Sequence, residues 1–367
     1  MDQILSIDKG AEEGVVRLLK FLLENDKVSG VFTLRRTTGK GFFDYALITD
    51  PGLLEDAIPL HPFMNVNGGK IISSLPPMKK PVAAVIRPCE LRSFIELVKR
   101  SQGSIDDFLL ISYTCGGSFP FDKTLKDNGR KLLPGYWKAV EKGVDPDNIR
   151  QSCASCEHFV PQNADITVSL LGEKDLSSKC LIYLHSERST AMTEEFDAEI
   201  SDGQLDMKRF EALLEKRSEQ KEKDFKEIKI EDSGLDGMID LFGRCIGCHG
   251  CMRVCPICQC VLCDFESCAY DPDTSVIANE LPVRGGVRVP TDTVLFHIGR
   301  LSHMSFSCVG CGQCTEVCPA DIPVSTLFRK TGEQVAGIFD YIPGRDVDEE
   351  IPVTIFKEDE LSELGND

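Results

Sequence analysis

No segment of the 367-residue chain is long and apolar enough to cross a bilayer. The longest uninterrupted apolar runs, such as Val82–Ile86, fall far short of the roughly 20 residues a spanning helix needs. The opening residues, Met1–Asp8, carry no basic region followed by an apolar run. No export signal is therefore indicated, and a cytoplasmic location is the expectation. Positive charge is scarce: 41 Lys and Arg stand against 59 Asp and Glu, a formal charge of −18. That balance argues against nucleic acid, whose phosphates require clustered cations. Also missing are a P-loop, a G-x-G-x-x-G and a G-x-S-x-G. Nucleotide hydrolysis, dinucleotide binding of the usual type and esterase chemistry thus lack support.

What the chain has in excess is cysteine, 17 residues of it. Without an export signal these are expected as reduced thiols, and thiols at that density point to metal. Their distribution is uneven. Cys89, Cys115, Cys153 and Cys156 are scattered through the first half, and Cys180 stands apart. Eight crowd between Cys245 and Cys268, and four lie between Cys308 and Cys318.

Periodicity predicts a buried helix over residues 11–25, then strands at Gly30–Leu34 and Phe42–Thr49. Pro81–Ile86 reads as a buried strand leading through Arg87-Pro88-Cys89 into a helix over 90–100. A further strand, Asp107–Thr114, ends at Cys115, and Ile166–Leu171 and Leu181–Leu184 extend the series. Apolar strands alternating with helices define an α/β domain with a covered sheet. Met207–Lys229 reads as a solvated helix and Glu231–Gly237 as a linker. The expected units are an α/β domain (1–205), a charged helix and linker (206–236), a ferredoxin-like α+β domain (237–345) and an acidic, extended tail (346–367). The third should be held by metal more than by hydrophobic burial.

Cys245, Cys248, Cys251 and Cys255-Pro form C-x₂-C-x₂-C-x₃-C-P, and Cys308, Cys311, Cys314 and Cys318-Pro repeat it. Three cysteines wrap three corners of one cubane and the fourth reaches the other, so this spacing specifies two [4Fe–4S] clusters. The expected division is Cys245, Cys248, Cys251 with Cys318, and Cys308, Cys311, Cys314 with Cys255. Gly247, Gly250, Gly310 and Gly312 leave room for backbone N–H groups near the sulfides. Structural zinc prefers paired ligands at longer separations. Cys258, Cys260, Cys263 and Cys268 exceed the need of two clusters: they could serve a further cluster or take over the role of Cys255. His249 is expected beside the first cluster or at the surface, and His297 and His303 as packing residues.

Cys89 and Cys115 fall just past strand ends, where α/β sheets place ligands. With Cys153-x₂-Cys156 they could converge on a third cubane, or be buried hydrophobes as Cys180 is expected to be. Here the chain resembles the beta subunits of deazaflavin-reducing hydrogenase and formate dehydrogenase. The resemblance rests on Lys80–Cys89, Ile111–Cys115 and Cys153–Asp165. It rests also on the C-terminal order C-x₂-C-x₂-C-x₃-C-P-x-C-x-C-x₂-C, Leu295-Phe-His297, the second run, Ile322-Pro323 and Phe339–Gly344. It spans roughly residues 8–345 and is closest to the formate dehydrogenase subunit.

The resemblance implies a third cluster on Cys89, Cys115, Cys153 and Cys156, beside an FAD that trades hydride with the deazaflavin coenzyme F420. It implies a partner catalytic or flavoprotein subunit that completes the chemistry, and an acidic surface suits docking on such partners. Gly10, Gly14 and Asp165 are the candidate flavin contacts. The chain departs from the family nearby, with Glu13 at a glycine position and Val168 and Ser169 in a stretch that is usually glycine-rich. A flavin-free relay is therefore the competing expectation.

Overall fold

Alternation within two short strands organises the first half of the molecule. Val82 and Ala84 face one way with Phe108 and Leu110, while Ala83 and Val85 face the other with Leu109 and Ile111. Both faces are buried, so both must be covered by helices. In this computed structural model, which describes residues 3–37, 43–122, 130–267, 273–286 and 293–354, they are. Eight strands form one sheet: β1 (Gln3–Ile7), β2 (Gly30–Arg36), β3 (Phe43–Ile48), β4 (Val82–Val85), β5 (Phe108–Tyr113), β6 (Ile166–Ser169), β7 (Cys180–Leu184) and β8 (Glu199–Asp202). Their order is β3-β2-β4-β5-β6-β7-β1-β8. β2, β4, β5 and β6 are parallel; the other pairings are antiparallel.

Helix α1 (Ala11–Glu24) lays Val15, Leu18, Leu19 and Leu22 on one face of the sheet. After the short helix α2 (Gly68–Ile72), helix α3 (Pro88–Val98) covers the other with Leu91, Phe94 and Ile95. Pro88 opens α3 at the position where a missing N–H costs nothing. The buried Glu90 carboxylate accepts the Arg87 N–H at 2.8 Å and the Gly68 N–H at 2.9 Å. Sequence periodicity had no signal for β1 and β8: β8 is polar and fully exposed at the sheet edge, where charge discourages further pairing.

The cysteine-rich half differs from expectation. After Asp202 the described residues contain no strand, so this region is helical and not α+β. Its chain is spent on tight cysteine loops and on helices that bury one small core. Helices Ile230–Phe242, Thr293–Met304 and Val324–Ile338 contribute Phe242, Phe296, Val324, Leu327 and Phe328. The thiols of Cys245, Cys258, Cys263, Cys308, Cys314 and Cys318 pack against them. The segment expected as a linker is helical, with a break at Gly234 (φ 52°, ψ −130°). The charged helix forms as Glu211–Glu227 but buries Leu213, Arg217 and Asp224. The first tail residues fold back: Val347 packs under the sheet, Ile351 is buried and Glu349 lies 3.8 Å from Lys99.

Candidate metal centres

The two cysteine runs share one backbone. Gly247 and Gly310 have φ of 63° and 68°, and His249 and Gly312, also in register, have φ of 54° and 78°. A one-turn helix follows each, Gly250–Arg253 and Gln313–Glu316. Gly250, expected to leave room for backbone N–H groups, is the first helical residue, and His249 takes the left-handed turn. It stacks on Phe296 at 4.3 Å, nearly parallel. The first turn aims Gly247 N–H at Cys245 Sγ, and past the second run Ile322 N–H donates to Cys318 Sγ, both at 3.4 Å.

The thiols gather in the crossed arrangement that the spacing implies. Cys251 lies within electrostatic reach of Cys245, Cys248 and Cys318. Cys314 is within reach of Cys311, Cys308 and Cys255, and all four line one cavity with Arg300 and Phe328. Burial pushes the Cys311 thiol up to about 12 and the Cys308 and Cys251 thiols up to about 11. Such groups stay protonated until a metal takes the proton's place. Among the described residues no three His, Cys, Asp or Glu side chains approach closely enough to hold a single metal ion, as zinc would need.

Cys258 sits against Cys255, and hydrogen bonding from Cys258 holds the Cys255 thiol well down. Cys263 is half-buried, and Cys260 is exposed beside Val261 and Leu262, each 96% exposed. Cys268 lies outside the described residues. Lys70, reaching from the α/β half, donates to the carbonyls of Arg253 and Cys255 at 2.9 Å and of Cys258 at 3.2 Å. The Cys255–Cys258 loop is thereby pinned to the sheet domain.

A further set forms at the carboxyl edge of the sheet. Cys89 is in the first turn of α3, Cys115 follows β5, and Cys153 and Cys156 flank the end of the short Gln151–Ala154 helix. Cys89 interacts with Cys115 and Cys153, and Cys153 with Cys156. Burial pushes Cys115 up to about 12. Gly117 N–H and Ser118 N–H donate to Cys115 Sγ and Cys153 Sγ at 3.4 Å. Cys180 is a buried strand residue against Gly14, as its position suggested.

Sequence reasoning missed the arginines. Arg92, Arg150, Arg217, Arg300 and Arg329 are all under 10% exposed, and each acts electrostatically on thiols of these sets. Arg92 donates to the carbonyls of Pro343 and Val309 (2.8 and 3.3 Å). Arg150 donates to the carbonyls of Phe119 and Met64, with Glu316 3.6 Å away. A buried cation without a close counter-charge is costly. Arg150, Arg217 and Arg329 have carboxylates within 4 Å, but Arg92 and Arg300 have none among the described residues; an anionic group held by the thiolates would supply their counter-charge, so the residues fit [4Fe–4S] clusters. The only sequence signal was spacing: Phe296, His297 and Arg300 fall on one buried face of their helix. His297 stacks on Phe242 at 3.9 Å, a packing role as expected, and His303 is exposed.

The three flavin candidates do not assemble. Gly10 and Gly14 are at the carboxyl edge, but a Cβ on Gly10 would meet the Ser177 carbonyl at 2.7 Å and one on Gly14 the Cys180 Cβ at 2.6 Å. Packing explains both glycines. Asp165 begins β6 at the opposite edge, where its carboxylate accepts Leu110 N–H at 2.8 Å and Ser186 Oγ–H at 2.6 Å. Beside Gly10 is a cavity of 370 Å³ lined by Glu12, Glu13 and Glu141 with His61 and Trp137. Three carboxylates do not suit a pyrophosphate, so these residues do not fit an FAD. Val168 and Ser169 are buried in β6.

A helical domain with two crossed cysteine sets, joined to a sheet domain carrying a third, defines an iron–sulfur electron-transfer protein. Residues 240–322 match the 4Fe–4S dicluster domain. The chain is 30% identical to the F420-dependent formate dehydrogenase subunit beta of Methanocaldococcus jannaschii, over 92% of each chain. It is 29% identical to the F420-dependent formate dehydrogenase 1 subunit beta of Methanococcus maripaludis, over 94% of each. A chain of the F420-reducing [NiFe] hydrogenase complex of Methanosarcina barkeri overlays on 63% of this chain and 92% of its own, at 13% identity and a TM-score of 0.45, a loose likeness. The chain belongs to the family of F420-dependent formate dehydrogenase beta subunits. No helix among the described residues is long and apolar enough to span a membrane.

Proposed function

We propose that this chain is the internal wire of an F420-linked oxidoreductase, carrying electrons through three [4Fe–4S] clusters between a hydride-handling site and a partner catalytic subunit. When bound, the clusters supply one-electron transfer without bond making. Cys89, Cys115, Cys153 and Cys156 hold the first. Cys308, Cys311, Cys314 and Cys255 hold the second, and Cys245, Cys248, Cys251 and Cys318 hold the third. The single observation that carries this reading is the burial, among the thiol sets, of Arg92 and Arg300, which pair with no carboxylate within 4 Å among the described residues.

The order of the relay follows from adjacency. Cys89 is within electrostatic reach of Cys311, and Cys156 and Cys308 line one cavity of 290 Å³. Arg300 interacts with Cys251 on one side and with Cys255 and Cys314 on the other. The second run therefore stands between the sheet domain's set and the first run, whose Cys248 is exposed. The protein's own residues insulate the path, fix the sulfurs through N–H donors and neutralise charge with arginine. Because Gly10, Gly14 and Asp165 do not form one site, the geometry favours a relay, with flavin chemistry placed in a partner.

Anaerobic purification from its native complex tests this. Iron should reach about twelve per chain with matching labile sulfide, together with a co-purifying catalytic subunit or flavoprotein. Replacing Cys153 and Cys156 by Ala should remove about four irons and leave the ferredoxin-type pair. Zinc without labile sulfide sinks the proposal. Stoichiometric FAD bound to the isolated chain overturns the flavin-free form of it.

A further inference from the structure

Arg300 has surroundings unlike those of the other buried arginines. Its Nη1–H donates to Cys251 Sγ at 3.2 Å, and its Nη2–H to the Cys251 carbonyl at 3.3 Å and toward Cys258 Sγ at 3.9 Å. The guanidinium lies over the rings of Phe296 and Phe328, at 5.6 and 4.8 Å, and the residue is 2% exposed. Its Nε–H has no partner among the described residues. No carboxylate within 4 Å pairs with it among those residues, whereas Arg217 has Asp145 and Arg329 has Glu157 and Glu333.

The position has a second feature. Cys251 belongs to the set of the first run, while Cys255 and Cys314 belong to that of the second, and Arg300 acts on all three. One cation thus stands between two sites that each gain an electron on reduction. Fixed positive charge stabilises the reduced state, and in a dry interior that effect is little screened by salt. A charge-assisted N–H···S bond adds to it on the side that is touched directly.

We infer that Arg300 is a positioning residue for electron transfer: a single buried guanidinium that raises the reduction potentials of both ferredoxin-type clusters together, the Cys251-bearing one more. It rests on the ligand assignment proposed above.

The test is a potentiometric titration followed by electron paramagnetic resonance on the anaerobic complex, wild type against Arg300→Met and Arg300→Lys. Iron and labile sulfide are measured on the same samples. Arg300→Met at full iron content should shift both midpoints to lower potential, with the larger shift on the Cys251-bearing cluster. Arg300→Lys keeps the charge but loses the fork, so the second-run midpoint should return toward wild type while the first-run midpoint stays partly lowered. Arg253→Met, which removes an exposed arginine near the same loop, should move neither. If Arg300→Met does not assemble, the asymmetric Arg300→Lys response decides.

Unchanged midpoints in a fully loaded Arg300→Met protein, or equal and unrescued shifts in both variants, overturn the inference. A wild-type protein without two clusters would instead overturn the ligand assignment, and iron analysis separates the two failures.

Discussion

The two cysteine runs have the same spacing and the same backbone turns, yet one faces out and the other faces in. In the first, Cys248 is exposed and Ile246 is 59% exposed. In the second, Gly312 abuts Ser152 of the sheet domain, Arg92 donates to the Val309 carbonyl, and the Glu316 carboxylate accepts the Phe121 N–H at 2.8 Å. A duplicated motif has thus acquired direction from what lies beside it. The inner run lies against the sheet domain's thiols, and the outer run has an exposed cysteine, Cys248. A relay needs that asymmetry: one end for the neighbouring cluster, one for the next protein.

The largest effect should come from stripping the clusters, because the two halves are built differently. The sheet domain is built on two extensive apolar cores, while thiols form part of the core described in the cysteine-rich half. Anaerobic chelation should abolish amide-exchange protection in helices Ile230–Phe242, Thr293–Met304 and Val324–Ile338 while β4 and β5 stay protected. Equal loss in both halves would break the comparison. Next in size is Gly312→Ala. A Cβ there would meet Ser152 Oγ at 2.0 Å, in a left-handed backbone (φ 78°). Strain and overpacking together should cost about 2–4 kcal/mol. Thermal melts should register it, along with a weakened junction between the halves. A stability within 0.5 kcal/mol or so of wild type would mean that the inner run is not pressed against the sheet.

These features were unevenly legible in the sequence. The cysteine spacing carried the crossed sets, and the runs around Val82–Ile86 and Phe108–Tyr113 carried the parallel strands, because both signals are local. β8 was silent because an exposed edge strand has no apolar alternation. The helical character of the second half was hidden because its cysteine loops take their conformation from cysteine geometry rather than from an apolar period. The buried arginines were invisible for a different reason. Arg300 reads as a surface residue until Cys251, 49 positions away, is brought to its guanidinium. Gly10 and Gly14 misled in the opposite sense: glycine signals close approach, but the approaching groups are Ser177 and Cys180, not a ligand.

Exposure should also make the outer cluster the first to be lost. With Cys248 at the surface and the inner set enclosed by Arg300, Phe328 and the sheet domain, a chelator reaches the first run more readily. During slow chelation about four irons should leave before the rest, and the spectroscopic signal that disappears should be the one altered by Cys248→Ser. Simultaneous loss of all iron would show that burial does not separate the two runs.

The smallest effect should follow from making the outer run more like the inner one. His249 takes the left-handed conformation that Gly312 takes in the other copy, so His249→Gly removes backbone strain of about 1 kcal/mol. Against that, the stack on Phe296 at 4.3 Å is lost, worth about 0.5–1.5 kcal/mol, and glycine adds about 0.5–1 kcal/mol of unfolded-state entropy. These terms nearly cancel, so the melting midpoint should change little and the iron content not at all. The reverse exchange, Gly312→His, should fail badly, since its side chain would enter the space of Ser152. The same two residues, swapped between the same two turns, then give opposite outcomes for a reason that lies wholly in the neighbours. Loss of four irons from His249→Gly would instead show that the imidazole supports the outer cluster directly, and the stacked ring would have to be counted among the groups that hold it.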